Sequence, residues 1–489
     1  MMLRRLILCL SALVLLSCSG KQVEQLELHG PEDLTGLRVA VTSGSYYDVI
    51  MTKRKDLASL SRYSTDIDAL QAVVYGKADV YVNDEIAFTD ELQEENGITI
   101  ACREEVYFPI SFAFRKDLRE LCDSCNVFLA RSMDDGTLDS LKTLWFKSKK
   151  GTKLIPPEPV FYQGKPIRVA VTTSLFPYSF QVNREWYGIE VDLMRLFAKS
   201  QGIPLQFDIY DLSGATLALS KGLADIMTGA IFITPERMEQ FDFCIPYHHC
   251  QPAYFVKTAG SGNANSLWTG IKKDIYKSLI MENRWRFITN GLAATVTITI
   301  FAIILGSILG AGLLTMLRSR RRWVRKTAEV YNFIMAGLPM LVFLLIMFYV
   351  VLVRTGLSPI AVAILAFALN FASGACGVYG KALGGIPRGQ WDAALALGLT
   401  RGQAFRNIIV PQALKAGIGA FSSQCTGLLK GTSIVGYIAI QDLTRASDMI
   451  RSRTFDALVP LLIVSILYFV LAWLLGLLLK ALVRKRIAK

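Results

Sequence analysis

Two folds are predicted in one chain: a two-lobed α/β unit over about residues 30–257, then an all-α membrane unit over 284–489. Long apolar runs crowd into 284–489, whereas 30–283 alternates short β-branched runs with helical stretches. Charge divides at the same place. Residues 284–489 hold 23 Lys and Arg against 5 Asp and Glu, leaving 30 against 35 elsewhere, so the overall +13 belongs to the apolar half. A short unit also recurs, as YGKADVYV and KGLADIMT: a helix end, Gly, Ala-Asp, then an apolar strand. Such a repeat fits two similar lobes, and 489 residues exceed one ordinary domain. Basic residues between apolar runs set topology, and no basic patch is interleaved with aromatics, so nucleic acid is not the expected partner.

The first 20 residues, MMLRRLILCLSALVLLSCSG, read as a signal leader: two Arg, an apolar run, then Ser17-Cys18-Ser19. LLSC resembles a bacterial lipoprotein cleavage box, which makes Cys18 the lipidated residue; a plain signal peptide is the alternative. Either way the following unit is expected outside the cytoplasm. That compartment permits disulfides, with Cys244–Cys250 or Cys122–Cys125 as pairings. LCDSCN has no second CxxC and no nearby His, so no metal site is expected.

In the soluble half, LRVAVT (37–42) is a strand running into Ser43-Gly44-Ser45, and PIRVAVT (166–172) begins the same way. GIEVDLMRLFAKSQG is an amphipathic helix closed by Gly202, and PLQFDIY is the strand after it. KSKKGTKLIPPEPVFYQG (148–165) and TAGSGNANS (258–266) read as linkers, with 258–283 leading to the membrane.

LFPYSF, GIEVDLMRLFAKSQG, KGLADIMTGAIFITPERMEQFDF and CIPYHH resemble the first lobe of the polar amino acid family of periplasmic solute-binding proteins. EDLTGLRVAVTSGSYYDVI, ALQAVVYGKADVYVNDEIAF and YFPISFAFRKDLRELC with DDGTLDSLKTLWF resemble that family's second lobe and closing helices. The second-lobe material (30–150) precedes the first-lobe material (165–257), the reverse of the family's order. The resemblance therefore implies a circularly permuted periplasmic-binding-protein-like domain. The alternative is two truncated domains in tandem, and an isolated half cannot close a cleft over a ligand.

A free amino acid needs a fixed cation for its carboxylate and a fixed anion for its ammonium. By the resemblance, Arg237 in ITPER takes the carboxylate and Asp84 in VYVNDEIA the ammonium. Asp84 also follows an apolar strand, at the end where ligands bind in open α/β sheets. Ser45 and Tyr46 match the second-lobe turn that offers donors at a helix start. Gly229 and Ala230 match first-lobe backbone contacts. Phe176, Tyr178 and Trp186 are candidates to wall the side-chain pocket. Phe232 departs from the family, which usually carries Ser or Thr there; a hydroxyl is lost and bulk gained. The chain has only three His and no GxSxG, HExxH or supported acid pair, so no catalytic site is expected.

Five apolar segments, near 291–317, 333–353, 359–383, 413–440 and 455–483, are long enough to span ~30 Å of hydrocarbon. The fourth is the least apolar, holding Gln424 and Lys430, and Gly306 and Gly310 give the first a GxxxG spacing suited to close packing. RSRRRWVRK (318–326) and the terminal VRKRIAK fall on the cytoplasmic side by the positive-inside rule, which puts the start of the first span outside with the soluble unit.

The loop QWDAALALGLTRGQAFRNIIVPQAL resembles the cytoplasmic signature of ABC importer permeases: Asp392-Ala393-Ala394, Gly398 three residues on, then IIV and Pro411. Asp for Glu and Val for Leu are its departures. LLKGTSIVGYIAIQDLTRAS and GLPMLV resemble the polar amino acid permeases of the histidine/glutamine type, over about 283–489. The implied fold is a type I ABC importer transmembrane domain. The implied function is a fused binding and permease subunit of an ATP-driven importer for polar amino acids in a bacterial inner membrane. The chain has no GxxxxGK[ST], so ATP is used by a separate ATPase dimer and no cofactor is expected here. One five-span unit lines half a pathway, so a second permease subunit is expected, most simply an identical copy. The rivals are a permease with a degenerate binding domain served by another binding protein, and a ligand-gated channel or sensor, against which 391–411 argues.

Overall fold

The computed structural model describes residues 26–87, 97–146, 164–172, 177–182, 185–258, 275–353, 355–454 and 458–487. The leader with Cys18, Phe176 and most of both linkers lie outside the described residues.

The soluble half opens with β1 (Arg38–Thr42), α1 (Tyr46–Thr52), β2 (Ser59–Tyr63), α2 (Asp66–Val74) and β3 (Val80–Asp84). It continues through β4 (Ile98–Arg103), β5 (Phe108–Ile110), β6 (Ala113–Arg115), α3 (Arg119–Asp134) and α4 (Thr137–Phe146). The second segment holds β7 (Ile167–Val171), β8 (Phe180–Val182), β9 (Glu185–Tyr187), α5 (Ile189–Gln201), β10 (Leu205–Ile209) and α6 (Leu212–Ser220). β11 (Ile226–Thr228), α7 (Pro235–Met238), β12 (Phe241–Phe243), β13 (His248–Cys250) and β14 (Pro252–Lys257) complete it. Short polar side chains start α1, α2, α6 and α7: Ser45, Thr65, Asp211 and Thr234 each accept a hydrogen bond from the amide three residues on. α5 ends at Gly202, as read from the sequence.

These strands build two sheets of the same plan. Lobe A has the order β2-β1-β3-β14-β4 and lobe B the order β10-β7-β11-β6-β12. In each, the first three strands are parallel and the fourth is antiparallel. The fourth strand is borrowed. β14, from the second segment, sits in lobe A, and β6, from the first segment, sits in lobe B. The chain therefore crosses between lobes through β5 and again through β13. These two crossings pair with each other, His248 opposite Ile110. Neither segment makes a complete sheet alone. α3 and α4 cover lobe B, where the Trp145 Nε1 donates to Asp192 at 2.9 Å.

The cysteines of the described residues are free thiols, and Cys122 Sγ lies 3.6 Å from Cys244 Sγ. That contact matches neither expected pairing, because α3 lays Cys122 against the end of β12 rather than against its own CxxC partner.

The membrane half comprises α8 (Trp285–Leu317), α9 (Arg322–Gly337), α10 (Met340–Ile346), α11 (Pro359–Gly384), α12 (Arg388–Ala396), α13 (Arg401–Ala404), α14 (Val410–Gly431), α15 (Leu443–Thr454) and α16 (Leu458–Ile487). Among the described residues three helices are long and apolar enough to cross a membrane: α8, α11 and α16. Two of the five expected segments are less regular than plain apolar helices. The second is bent by 111° between α9 and Met340–Val351. The break falls at Pro339, which lacks an amide donor. The fourth falls short of a candidate span: α14 stops at Gly431 and gives way to a 3-10 stretch, Thr432–Ile438. Its polar Gln424 and Lys430 explain the shortfall, yet α14 packs between α11 and α16.

α8 and α11 make the main helix pair. A Cβ at Gly306 would stand 2.7 Å from Ala368 O, and one at Gly310 2.8 Å from Ala372 O. The GxxxG spacing thus marks a backbone-to-backbone approach.

Candidate binding site between the lobes

A cavity of about 140 Å³ lies where the carboxyl ends of β1 and β3 face those of β7 and β11. Ser45, Tyr46, Asp84, Tyr178, Gly229, Ala230 and Arg237 all line it. Seven of the nine candidates singled out from sequence therefore converge on one space, and Phe176 lies outside the described residues. Trp186 does not reach the cavity; it packs on Phe207 inside lobe B, with ring centres 5.8 Å apart.

Asp84 ends β3 and is 4% exposed. Its Oδ2 accepts the Tyr178 hydroxyl of lobe B at 2.5 Å, and its Oδ1 accepts the Ile86 amide at 3.4 Å. Burial pushes its carboxyl above the ordinary aspartate value, against the pull of the Cys250 thiol and the Tyr178 hydroxyl. Arg237, in the single turn of α7, reaches back over the cleft. Its Nη1 donates to Phe232 O and its Nη2 to Gly44 O of lobe A, both at 3.1 Å. Among the described residues this guanidinium bonds only carbonyls, which leaves its charge free for an anion, and burial draws its pKa down.

Ser45 is occupied as the cap of α1, accepting from Asp48 N at 3.1 Å. The amides of Gly229 and Ala230 donate to Glu190 Oε1, at 3.1 and 2.8 Å, and Tyr247 donates to the same oxygen at 2.6 Å. Burial raises the Glu190 carboxyl. Glu190 was not singled out from sequence; it sits inside the amphipathic pattern of α5 and reads as an exposed first-turn acid. Asp66 was missed likewise. It accepts from Thr42 at 2.5 Å and Tyr81 at 2.9 Å on the cavity wall, and burial raises its pKa.

Aromatic rings fill the middle of the cleft. Phe232 of lobe B stacks on Tyr46 of lobe A at 5.2 Å, Tyr46 lies 4.6 Å from Phe108, and Tyr47 meets Phe232 edge-on at 5.5 Å.

The cavity has a further wall that sequence reading did not anticipate. Arg445, Asp448, Met449 and Arg451, all on α15 of the membrane half, line it too. Lobe B also touches that half, where a Cβ on Gly214 of α6 would stand 3.6 Å from the Tyr349 hydroxyl.

At the other end of the helices, α12 carries Asp392 and Ala393 exposed and Ala394 buried. Gly398 follows at φ +81°, Trp391 stacks on Phe405 at 6.2 Å, and Leu397 is 82% exposed. Pro411 stands in the first turn of α14. The loop is therefore a compact helical hairpin with an uncovered apolar tip.

Residues 302–489 match the family described as binding-protein-dependent transport system inner membrane component. The arginine transport system permease protein ArtQ of Bacillus subtilis (strain 168) is 30% identical over 201 residues, covering 41% of this chain and 92% of ArtQ. The L-cystine transport system permease protein TcyB of the same organism is 29% identical over 201 residues, covering 41% of this chain and 86% of TcyB. Among solved structures, an amino acid ABC transporter crystallised with histidines aligns with 45% of this chain and 98% of its own, at 26% identity and a TM-score of 0.38. The chain belongs to the permease family of amino acid ABC importers. It is an integral inner-membrane transport component rather than an enzyme, and the part these permeases match leaves the two-lobed unit as an addition in front.

Proposed function

We propose that the two-lobed unit is the substrate receptor of the permease behind it, binding a polar amino acid outside the membrane and passing it inward. The observation that carries this is the convergence of Arg237 from lobe B and Asp84 from lobe A on one cavity, in a chain whose other half is an amino acid permease. One fixed cation and one fixed anion suit the two charges of a free amino acid. The borrowed strands β6 and β14 support a single circularly permuted domain over two truncated ones.

In this reading the leader exports the unit and Cys18 carries the lipid. The stretch 318–326 and the chain end face the cytoplasm. α14 crosses with the other spans, its polar residues shielded by α11 and α16. A separate ATPase dimer docks on the α12 hairpin, with Asp392, Ala393, Ala394, Gly398 and Pro411 shaping the contact. A second permease subunit, an identical copy, completes the pathway. The lobes close on the amino acid about the β5–β13 ribbon, and tethering replaces diffusion with a high local concentration.

The rings of Phe232 and Tyr46, stacked across the cleft, favour a second reading in which the receptor has lost its ligand and another binding protein serves the permease. Calorimetry of the full chain with the twenty amino acids separates the two. Tight binding of one polar amino acid, abolished by Arg237→Ala, is expected. A folded chain that binds none of them supports the second reading.

A further inference from the structure

α15 is amphipathic in an unusual setting. Leu443, Ala446 and Ile450 are buried with Phe287 and Ile288 of α8, fixing one face to the membrane helices. The other face carries Arg445 and Asp448, three residues apart, with Arg451 beside them, and Met449 sits at the boundary, buried in the apolar cluster and also reaching the cavity. These four line the same cavity as Asp84 and Arg237. Arg451 is 9% exposed. Its Nη2 bonds Asp68 and lies 3.4 Å from the Gln71 side-chain oxygen, both on α2 of lobe A, and its Nη1 donates to Asp448 at 3.0 Å. Its Nε is buried with no hydrogen-bond partner among the described residues. An unmet donor on a buried cation is costly unless something occupies it.

We propose that the amino acid site is composite, with α15 as its membrane-side wall. In this arrangement Arg451 pins α15 to lobe A through Asp68, and the α15 residues facing the cavity close it on the membrane side. The ligand is enclosed by three bodies: lobe A, lobe B and the permease. It leaves toward the helices only when the Arg451–Asp68 contact breaks. Release is thereby tied to the permease's own conformation, since α15 is packed on α8 and α8 on α11.

The inference rests on the receptor reading above, and the test separates the two. The full chain in nanodiscs is loaded with the radiolabelled amino acid that calorimetry identifies, and its dissociation rate is followed. Arg451→Ala and Asp68→Asn are each expected to speed dissociation about tenfold. Arg451→Lys, which keeps a cation between Asp68 and Asp448, is expected to retain most of the slow release that Arg451→Ala loses. Unchanged rates in both single variants would overturn the composite site, with Arg237→Ala still abolishing binding. Release as fast from Arg451→Lys as from Arg451→Ala would overturn the ion pair as the pin. Binding that survives Arg237→Ala strikes at the receptor reading instead.

Discussion

The Tyr178 hydroxyl of lobe B donates to Asp84 Oδ2 of lobe A at 2.5 Å, so the acid assigned to the ligand ammonium is also a clasp between the lobes. Burial raises the Asp84 carboxyl above its ordinary value, so the folded chain holds that proton longer than the unfolded chain. The stability it contributes is present at low pH and lost as pH rises through the raised value. In the proposed receptor role ligand binding runs the other way, because an ammonium needs the carboxylate. Affinity is expected to fall as pH drops through the raised value. Asp84→Asn is expected to weaken binding by about 2 kcal/mol or more, the cost of truncating a buried charge partner. It is also expected to raise Tm of the unliganded chain at neutral pH. Calorimetry and thermal melts across pH 4–8 check both signs; a variant that binds normally would remove Asp84 from the site.

Phe232 is 8% exposed and carries the cross-lobe stack on Tyr46. Phe232→Ala deletes a buried ring and is expected to cost about 3 kcal/mol of stability. Phe232→Ser restores the residue type usual in the resembled family and enlarges the cavity. It is expected to widen the range of amino acids bound, read by competition against the preferred ligand. An unchanged preference would show that Phe232 does not shape the pocket.

The GxxxG pair predicts a different kind of loss. Gly306 and Gly310 let α8 meet the α11 backbone, and no side chain fits at either position. Gly306→Leu is expected to separate the helices and abolish transport while leaving the lobes folded. Tryptophan fluorescence from the soluble half checks the second part. A transport-competent Gly306→Leu variant would mean that the pair can slide apart without cost.

These residues also mark how far the sequence could be read. Arg237 and Asp84 were legible because a charged residue after a strand or in a fixed motif has few reasons to be there. Gly306 and Gly310 were legible because close packing needs that spacing. Glu190 and Asp66 were not, since each sits in a first helical turn where acids are common, and only the tertiary fold turns them inward. The bend at Pro339 hid inside an unbroken apolar run. The wall formed by α15 was beyond reach, because it depends on how the permease meets the lobes. The Cys122–Cys244 proximity failed for the same reason: 122 residues separate the thiols.

The hairpin of α12 and α13 gives the last prediction. Gly398 turns at φ +81°, where a side chain costs of order 1–2 kcal/mol, and it sets the angle between the Asp392–Ala394 face and Pro411. Leu397 beside it is 82% exposed, an apolar contact waiting for a partner. If this surface receives an ATPase, Gly398→Val and Leu397→Asp should uncouple the chain from it. Amino acid binding to the lobes should stay within twofold of the parent chain, because the hairpin follows the far end of α11 from the cleft. Substrate-stimulated ATP hydrolysis, assayed with the partner ATPase added, should fall about tenfold or more. Loss of ligand binding together with coupling would instead point to global disruption, and full hydrolysis in both variants would place ATPase docking elsewhere on the permease.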